Sequence, residues 1–191
     1  MSDVPLPPIE RSISVSWDPA AAFRRFTSEF STWWPVKTHS IGGPRVQRIV
    51  FERRVDGLIF EEHVDGRRFQ WGQVLVWDPP RLVRFTWHPA KDASTAQEVE
   101  VRFEPAGSGT RVVLVASHWE RWGKGAKAAR KGYDIGWGYV LNVWAERRTG
   151  SMRLIDGLGG LISLVQWLRG GRRATIARAG GEILQPSAPR A

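Results

Sequence analysis

Four histidines, at positions 39, 63, 88 and 118, are the side chains here best suited to moving protons or holding a metal. Their spacing matches no ligand pattern, and the chain has no cysteine to complete one, so no metal site is expected. Each histidine reads as a surface or capping residue. Glu61 and Glu62 are adjacent, so on a strand they point to opposite faces and cannot share a proton as a dyad. His118, Glu120 and Asp134 fall near the start of a long helix and form one candidate acid–base group; His39 on a glycine-rich loop is another. There is no nucleophile elbow and no phosphate-binding loop. Gly157-Leu158-Gly159-Gly160 lacks the G-x-G-x-x-G spacing after a strand. No catalytic residue is assigned, and no cofactor is expected.

Tryptophan is the abundant chemistry. The chain has eleven, three of them within residues 71–87. Burying one indole removes about 200 Å² from water, roughly 5 kcal/mol at ~25 cal/mol per Å², so core filling alone can account for several. Trp17, Trp77 and Trp144 read as core. Trp71, Trp87 and Trp137 read equally as core or as the lining of a ligand pocket.

The elements that position these rings follow from period and punctuation. Residues 9–17 alternate as a half-buried strand, with Ile13, Val15 and Trp17 on one side. Asp18 caps a helix with Pro19 in its first turn, and Ala22, Phe23, Phe26 and Phe30 form its apolar face. A short helical turn, STWW, ends at Pro35. Six more strands follow, punctuated by Asp56-Gly57, Asp65-Gly66, Asp78-Pro79-Pro80 and Ala106-Gly-Ser-Gly109. Hairpin connections make the sheet antiparallel and strongly curved. Residues 126–148 form one long helix with Tyr133, Trp137, Val140, Leu141 and Trp144 on its apolar stripe. Gly132, Gly136 and Gly138 weaken it, which predicts compensation by close packing on the sheet. If Trp77 faces Arg81 across the proline turn, then Leu75 faces Val83, Gln73 faces Phe85 and Trp71 faces Trp87. The inward residues of the next strands are Gln97, Val99, Val101 and Phe103, then Thr110, Val112, Leu114 and Ala116.

This order, with the segments PAAAFRRFTSEFSTWWP, GQVLVWDPPRLVRFTW, VEVRFEPAGSGTRVVLVASHW and DIGWGYVLNVWAE, resembles the START-like, birch-pollen-allergen superfamily (SRPBCC). Within it the chain looks like the branch related to the C-terminal domain of the activator of the 90-kDa heat-shock chaperone ATPase. The resemblance covers about residues 10–147. It implies an α+β helix-grip fold: a curved seven-stranded antiparallel sheet wrapped around a long C-terminal helix, with two short helices after the first strand and a hollow inside. His118 departs from the branch pattern, where glycine is common. The expected function is binding of a small apolar or aromatic ligand in an internal hydrophobic pocket. Its expected lining is Trp71, Gln73, Phe85, Trp87, Val99, Leu114, Tyr133, Trp137 and Leu141. A co-chaperone-like interaction domain is the alternative, and a cyclase- or hydrolase-type enzyme ranks third.

Charge divides the chain. Residues 1–120 hold 15 basic and 15 acidic side chains, whereas 121–191 hold 13 and 4, which accounts for the whole net charge of +9. The expected boundaries are a helix-grip domain over 9–148 and an appended segment over 149–191. In the latter, Leu154, Leu158, Leu161, Val165 and Leu168 make an amphipathic helix over about 152–168, followed by a basic, poorly ordered tail. That segment is a candidate for docking on its own domain, for self-association, or for peripheral contact with an acidic membrane. Basic residues alone give no nucleic-acid reading element. With neither a secretory signal nor an apolar span, the expectation is a cytoplasmic protein.

Overall fold

A computed structural model describes residues 5–147, so residue 148, the amphipathic segment 152–168 and the basic tail lie outside the described residues. The first strand, β1 (Ile9–Val15), leads into helix α1 (Pro19–Thr27), which starts as its sequence predicts: the Asp18 carboxylate accepts from the Ala21 N–H at 2.8 Å, with proline at the first position. Ala22, Phe23 and Phe26 are buried beneath it. A single turn, α2 (Phe30–Trp33), follows. Then come β2 (Val46–Phe51), β3 (Leu58–His63), β4 (Arg68–Asp78), β5 (Leu82–Trp87), β6 (Gln97–Ala106) and β7 (Gly109–Ser117). They form a seven-stranded antiparallel sheet in the order β1-β7-β6-β5-β4-β3-β2. The last element among the described residues is α3 (Ala126–Trp144), whose buried side chains are Trp137, Val140, Leu141 and Trp144.

The alternation anticipated for β6 and β7 holds. Gln97, Val99, Val101 and Phe103 are buried, as are Thr110, Val112, Leu114 and Ala116. The register anticipated for β4 does not. The proline turn closes with Asp78 opposite Leu82, so Trp77 pairs with Val83, and two irregularities then shift the rest of β4, bringing Val74 opposite Phe85. The first lies around Gly72, where a Cβ would stand 1.8 Å from the Thr86 carbonyl oxygen, so only glycine allows the two strands to approach this closely. The second lies between Val74 and Val76. Each inserts a residue, so inward positions fall at Phe69, Trp71, Val74 and Trp77 instead of every second residue. The extra residues bend β4, and the bend gives the sheet its concave face.

The helix glycines are also not placed as anticipated. A Cβ on Gly132, Gly136 or Gly138 would meet nothing within 4 Å, so close packing does not offset their helix-weakening effect. What holds α3 is its other face. Trp144 packs on Trp17 at 5.3 Å and on Phe26 at 5.8 Å. At the other end, Arg130 donates to the carbonyls of Pro7 and Pro8, and Arg11 on β1 pairs with Asp134 at 2.7 Å.

Candidate ligand site between the long helix and the sheet

Of the nine residues expected to line a pocket, seven are buried together in the core: Trp71, Phe85, Trp87, Val99, Leu114, Trp137 and Leu141. Their aromatic centre is tight. Trp71 and Trp87 lie 5.4 Å apart, and Trp87 and Trp137 also 5.4 Å. Gln73 stands apart from them. The Gly72 bulge turns it away from Trp71, and its amide donates to the Asp56 carbonyl at 3.4 Å. Tyr133 shares the α3 stripe but packs on Trp119 and Trp122, at 5.3 and 5.7 Å. Burial pushes its hydroxyl pKa up to about 12.

A side chain absent from the expected lining occupies the space between helix and sheet. Trp34, at the end of the Trp-Trp-Pro sequence, lies 5.4 Å from Trp71, 5.4 Å from Trp87 and 6.3 Å from Trp137. It stacks on Phe30 at 4.9 Å. Three of the residues expected to surround a hollow therefore pack around a fourth indole. The proline that stops α2 was the available signal: it fixes where the chain leaves the helix and hence where the preceding ring points.

Polar groups in this cluster are unevenly satisfied. The Trp34 indole N–H donates to the His39 carbonyl at 2.7 Å. The indole N–H groups of Trp71 and Trp137 are buried with no hydrogen-bond partner, as is the Oε1 of Gln97, whose backbone pairs with that of Trp87. Leaving a buried donor unmade costs about 1–3 kcal/mol, so such groups mark a place where an acceptor would be stabilised.

The segment after Trp34 crosses the edge of the site and is tied down by a pair of side chains on β3. The Glu61 carboxylate is fully buried; it accepts from the N–H groups of Ile41 and Gly42 at 2.9 and 2.8 Å. His63, 2% exposed, donates from Nε2 to the same carboxylate at 2.5 Å, packs on Phe69 and leaves Nδ1 unpartnered. The opposite-face reading of Glu61 and Glu62 holds, since Glu62 points outward to Arg48 and Arg68. The surface reading of the histidines fails at two positions. His63 and His88 are both buried, the first because strand alternation places it inward, the second on the turn after β5, where its Nδ1 lies 3.3 Å from the Lys91 carbonyl. Desolvation lowers the His88 pKa below its ordinary value. His39 stacks on Tyr139 of α3, with ring centres 5.1 Å apart.

The acid–base group expected at the helix start is not assembled. His118 contacts Glu120 at 3.1 Å and Glu98 at 3.6 Å, on a partly exposed turn. Glu120 is held below the usual carboxylate range, chiefly by its own backbone N–H and secondarily by His118. Asp134 is engaged elsewhere, by Arg11. Among the described residues no group of three or more His, Asp or Glu side chains is placed to hold a metal ion, and no helix is long and apolar enough to cross a membrane.

Two clefts open elsewhere. One of about 300 Å³ lies between Trp33 and the end of α3, beside the Arg25–Glu146 ion pair. Another of about 540 Å³ lies between Phe23, Trp77 and the Pro79-Pro80 turn.

A curved antiparallel sheet gripping a C-terminal helix, with two short helices after the first strand, defines a helix-grip domain. The chain belongs to the family described as activator of Hsp90 ATPase homolog 1-like protein, which matches residues 17–146. Among solved structures, it is 32% identical to Txn09, an anthrahydroquino-γ-pyrone synthase, over 75% of this chain and 98% of that one, with a TM-score of 0.53. It is 26% identical to CalC, a self-sacrificing resistance protein from Micromonospora echinospora, over 74% and 93% of the two chains, with a TM-score of 0.56. Aha1 from Colwellia psychrerythraea, solved as a dimer, shares the fold at 14% identity and a TM-score of 0.51, over 75% of this chain and all of that one. Among curated proteins, none matches the chain.

Proposed function

We propose that this domain binds a small, flat, hydrophobic or aromatic molecule between α3 and the concave face of the sheet. The observation that carries the reading is the indole cluster of Trp71, Trp87 and Trp137, in which two buried N–H groups have no acceptor. Ring faces supply stacking surface, and the two donors supply polar anchors, the combination that small-ligand sites use. Kinship with an anthrahydroquino-γ-pyrone synthase supports the ligand class. The test is a titration of intrinsic tryptophan emission with a panel of planar aromatics. Micromolar, saturable quenching is expected; a panel that leaves emission unchanged contradicts the reading.

A second, catalytic reading is favoured by the 32% identity to that synthase and by the buried Glu61–His63 pair, in which the carboxylate orients the imidazole. Turnover of a bound aromatic that is lost in His63→Gln, with binding kept, would establish it. The chaperone-contact reading has less support. The large apolar side chains exposed among the described residues, Val55, Val64 and Ile135, sit at opposite ends of β3 and on α3, so they do not gather into a docking patch.

A further inference from the structure

We infer that Trp34 is a built-in, displaceable occupant of the ligand site, and that the ligand it stands in for is a bicyclic or larger flat aromatic carrying a hydrogen-bond-accepting oxygen. This rests on the proposed binding role and specifies its ligand. Trp34 contacts the same three rings, Trp71, Trp87 and Trp137, that the ligand would use. It fills their apolar space but satisfies neither free indole N–H, because its own N–H can only donate. A ligand of similar footprint with a carbonyl or phenol oxygen would make the same ring contacts and also accept from those donors.

Trp34 is also built to leave as part of a unit. Its N–H bonds to the His39 carbonyl, within the segment it belongs to. That segment is internally bonded: His39 N–H donates to Pro35 O, Val36 N–H to Trp34 O, and the Ser40 hydroxyl to Val36 O. Moving the segment outward therefore keeps the indole hydrogen bond of Trp34, while its backbone N–H, which donates to the Phe30 carbonyl at 3.1 Å, marks the hinge at the end of α2. Its ties to the rest of the fold include the two N–H bonds of Ile41 and Gly42 to Glu61 and the stacking of His39 on Tyr139. Glu61 acts on the site through this segment, as a positioning residue.

The experiment compares 2-acetylnaphthalene with 2-ethylnaphthalene, near-isosteres with and without an acceptor, on the full chain and on Trp34→Ala. The variant is expected to bind the ketone at least tenfold more tightly than the unsubstituted protein does, and to prefer it to the hydrocarbon. Glu61→Gln, which loosens the strap and keeps Trp34, is expected to shift affinity in the same direction by less. A folded Trp34→Ala, judged by near-ultraviolet circular dichroism, that binds the ketone no better would overturn the displacement. Equal affinity for the two probes would overturn the acceptor requirement. If neither protein binds either probe, the binding role itself fails. Hydrogen exchange on the unsubstituted protein gives a readout independent of variant folding: ketone binding should accelerate exchange at the Ile41 and Gly42 amides, and slower exchange there would overturn the proposal.

Discussion

At the scale of single residues, Trp71 and Trp137 each bury an indole N–H that no acceptor meets. Trp71, Trp87 and Trp137 could be identified because their strands and helix have clear periods. Gln73 could not be placed, because one bulged glycine reverses the direction of the residue after it. Glu61 and His63 share one face of β3 by strand alternation, but the burial of Glu61 follows from a loop that folds back to donate two N–H groups to it, which period alone does not show. Two predictions belong to this scale. Trp71→Phe keeps a ring and removes an unsatisfied donor, so thermal stability should change little, whereas affinity for 2-acetylnaphthalene should fall about tenfold, the loss of one hydrogen bond; calorimetry and titration check the two halves. His88 gives a pH prediction. Burial holds its pKa below the ordinary 6.5, so the unfolded chain binds a proton that the folded chain does not. The stability contributed by neutral His88 is therefore complete above the ordinary value and declines as pH falls through it toward the lowered one. Denaturant midpoints measured between about pH 7 and pH 5 should fall less steeply in His88→Gln than in the unsubstituted protein.

At the scale of elements, caps, hairpin turns and alternation were legible, since each is set by neighbours in the chain. The Asp18 cap and the alternation of β6 form as read; the hairpin at Asp56-Gly57 forms but is wider than the tight turn expected, with residues 52–57 between β2 and β3. The path of β4 was not legible, because its bulges answer to curvature across strands. Gly72 is the residue on which that curvature turns. Gly72→Ala forces a methyl onto the Thr86 carbonyl and should destabilise the domain by on the order of 3 kcal/mol or more, seen as failed expression or a large fall in unfolding midpoint. The helix glycines predict the opposite. Gly136→Ala and Gly138→Ala place methyls in open space and should each stabilise by about 0.5–1 kcal/mol. Unchanged or lowered midpoints would mean those glycines serve a purpose other than packing.

At the scale of the whole molecule, helix and sheet are arranged as the order of elements implies, and the family match over residues 17–146 agrees with that extent. What pattern reading could not supply is the content of the grip: four indoles brought together from α2's end, β4, β5 and α3, elements far apart in sequence. The seven strands and α3 all lie within residues 9–144, so we propose the domain boundary near residue 148. A chain ending at Arg147 should then keep its unfolding midpoint. The binding account meets its most direct test in the indole N–H resonances of isotope-labelled protein during titration with 2-acetylnaphthalene. Trp71 and Trp137 should move downfield as their N–H groups acquire an acceptor, while Trp34 shifts as it leaves the cluster. Saturable binding that leaves all three resonances in place would locate the ligand elsewhere and contradict the account.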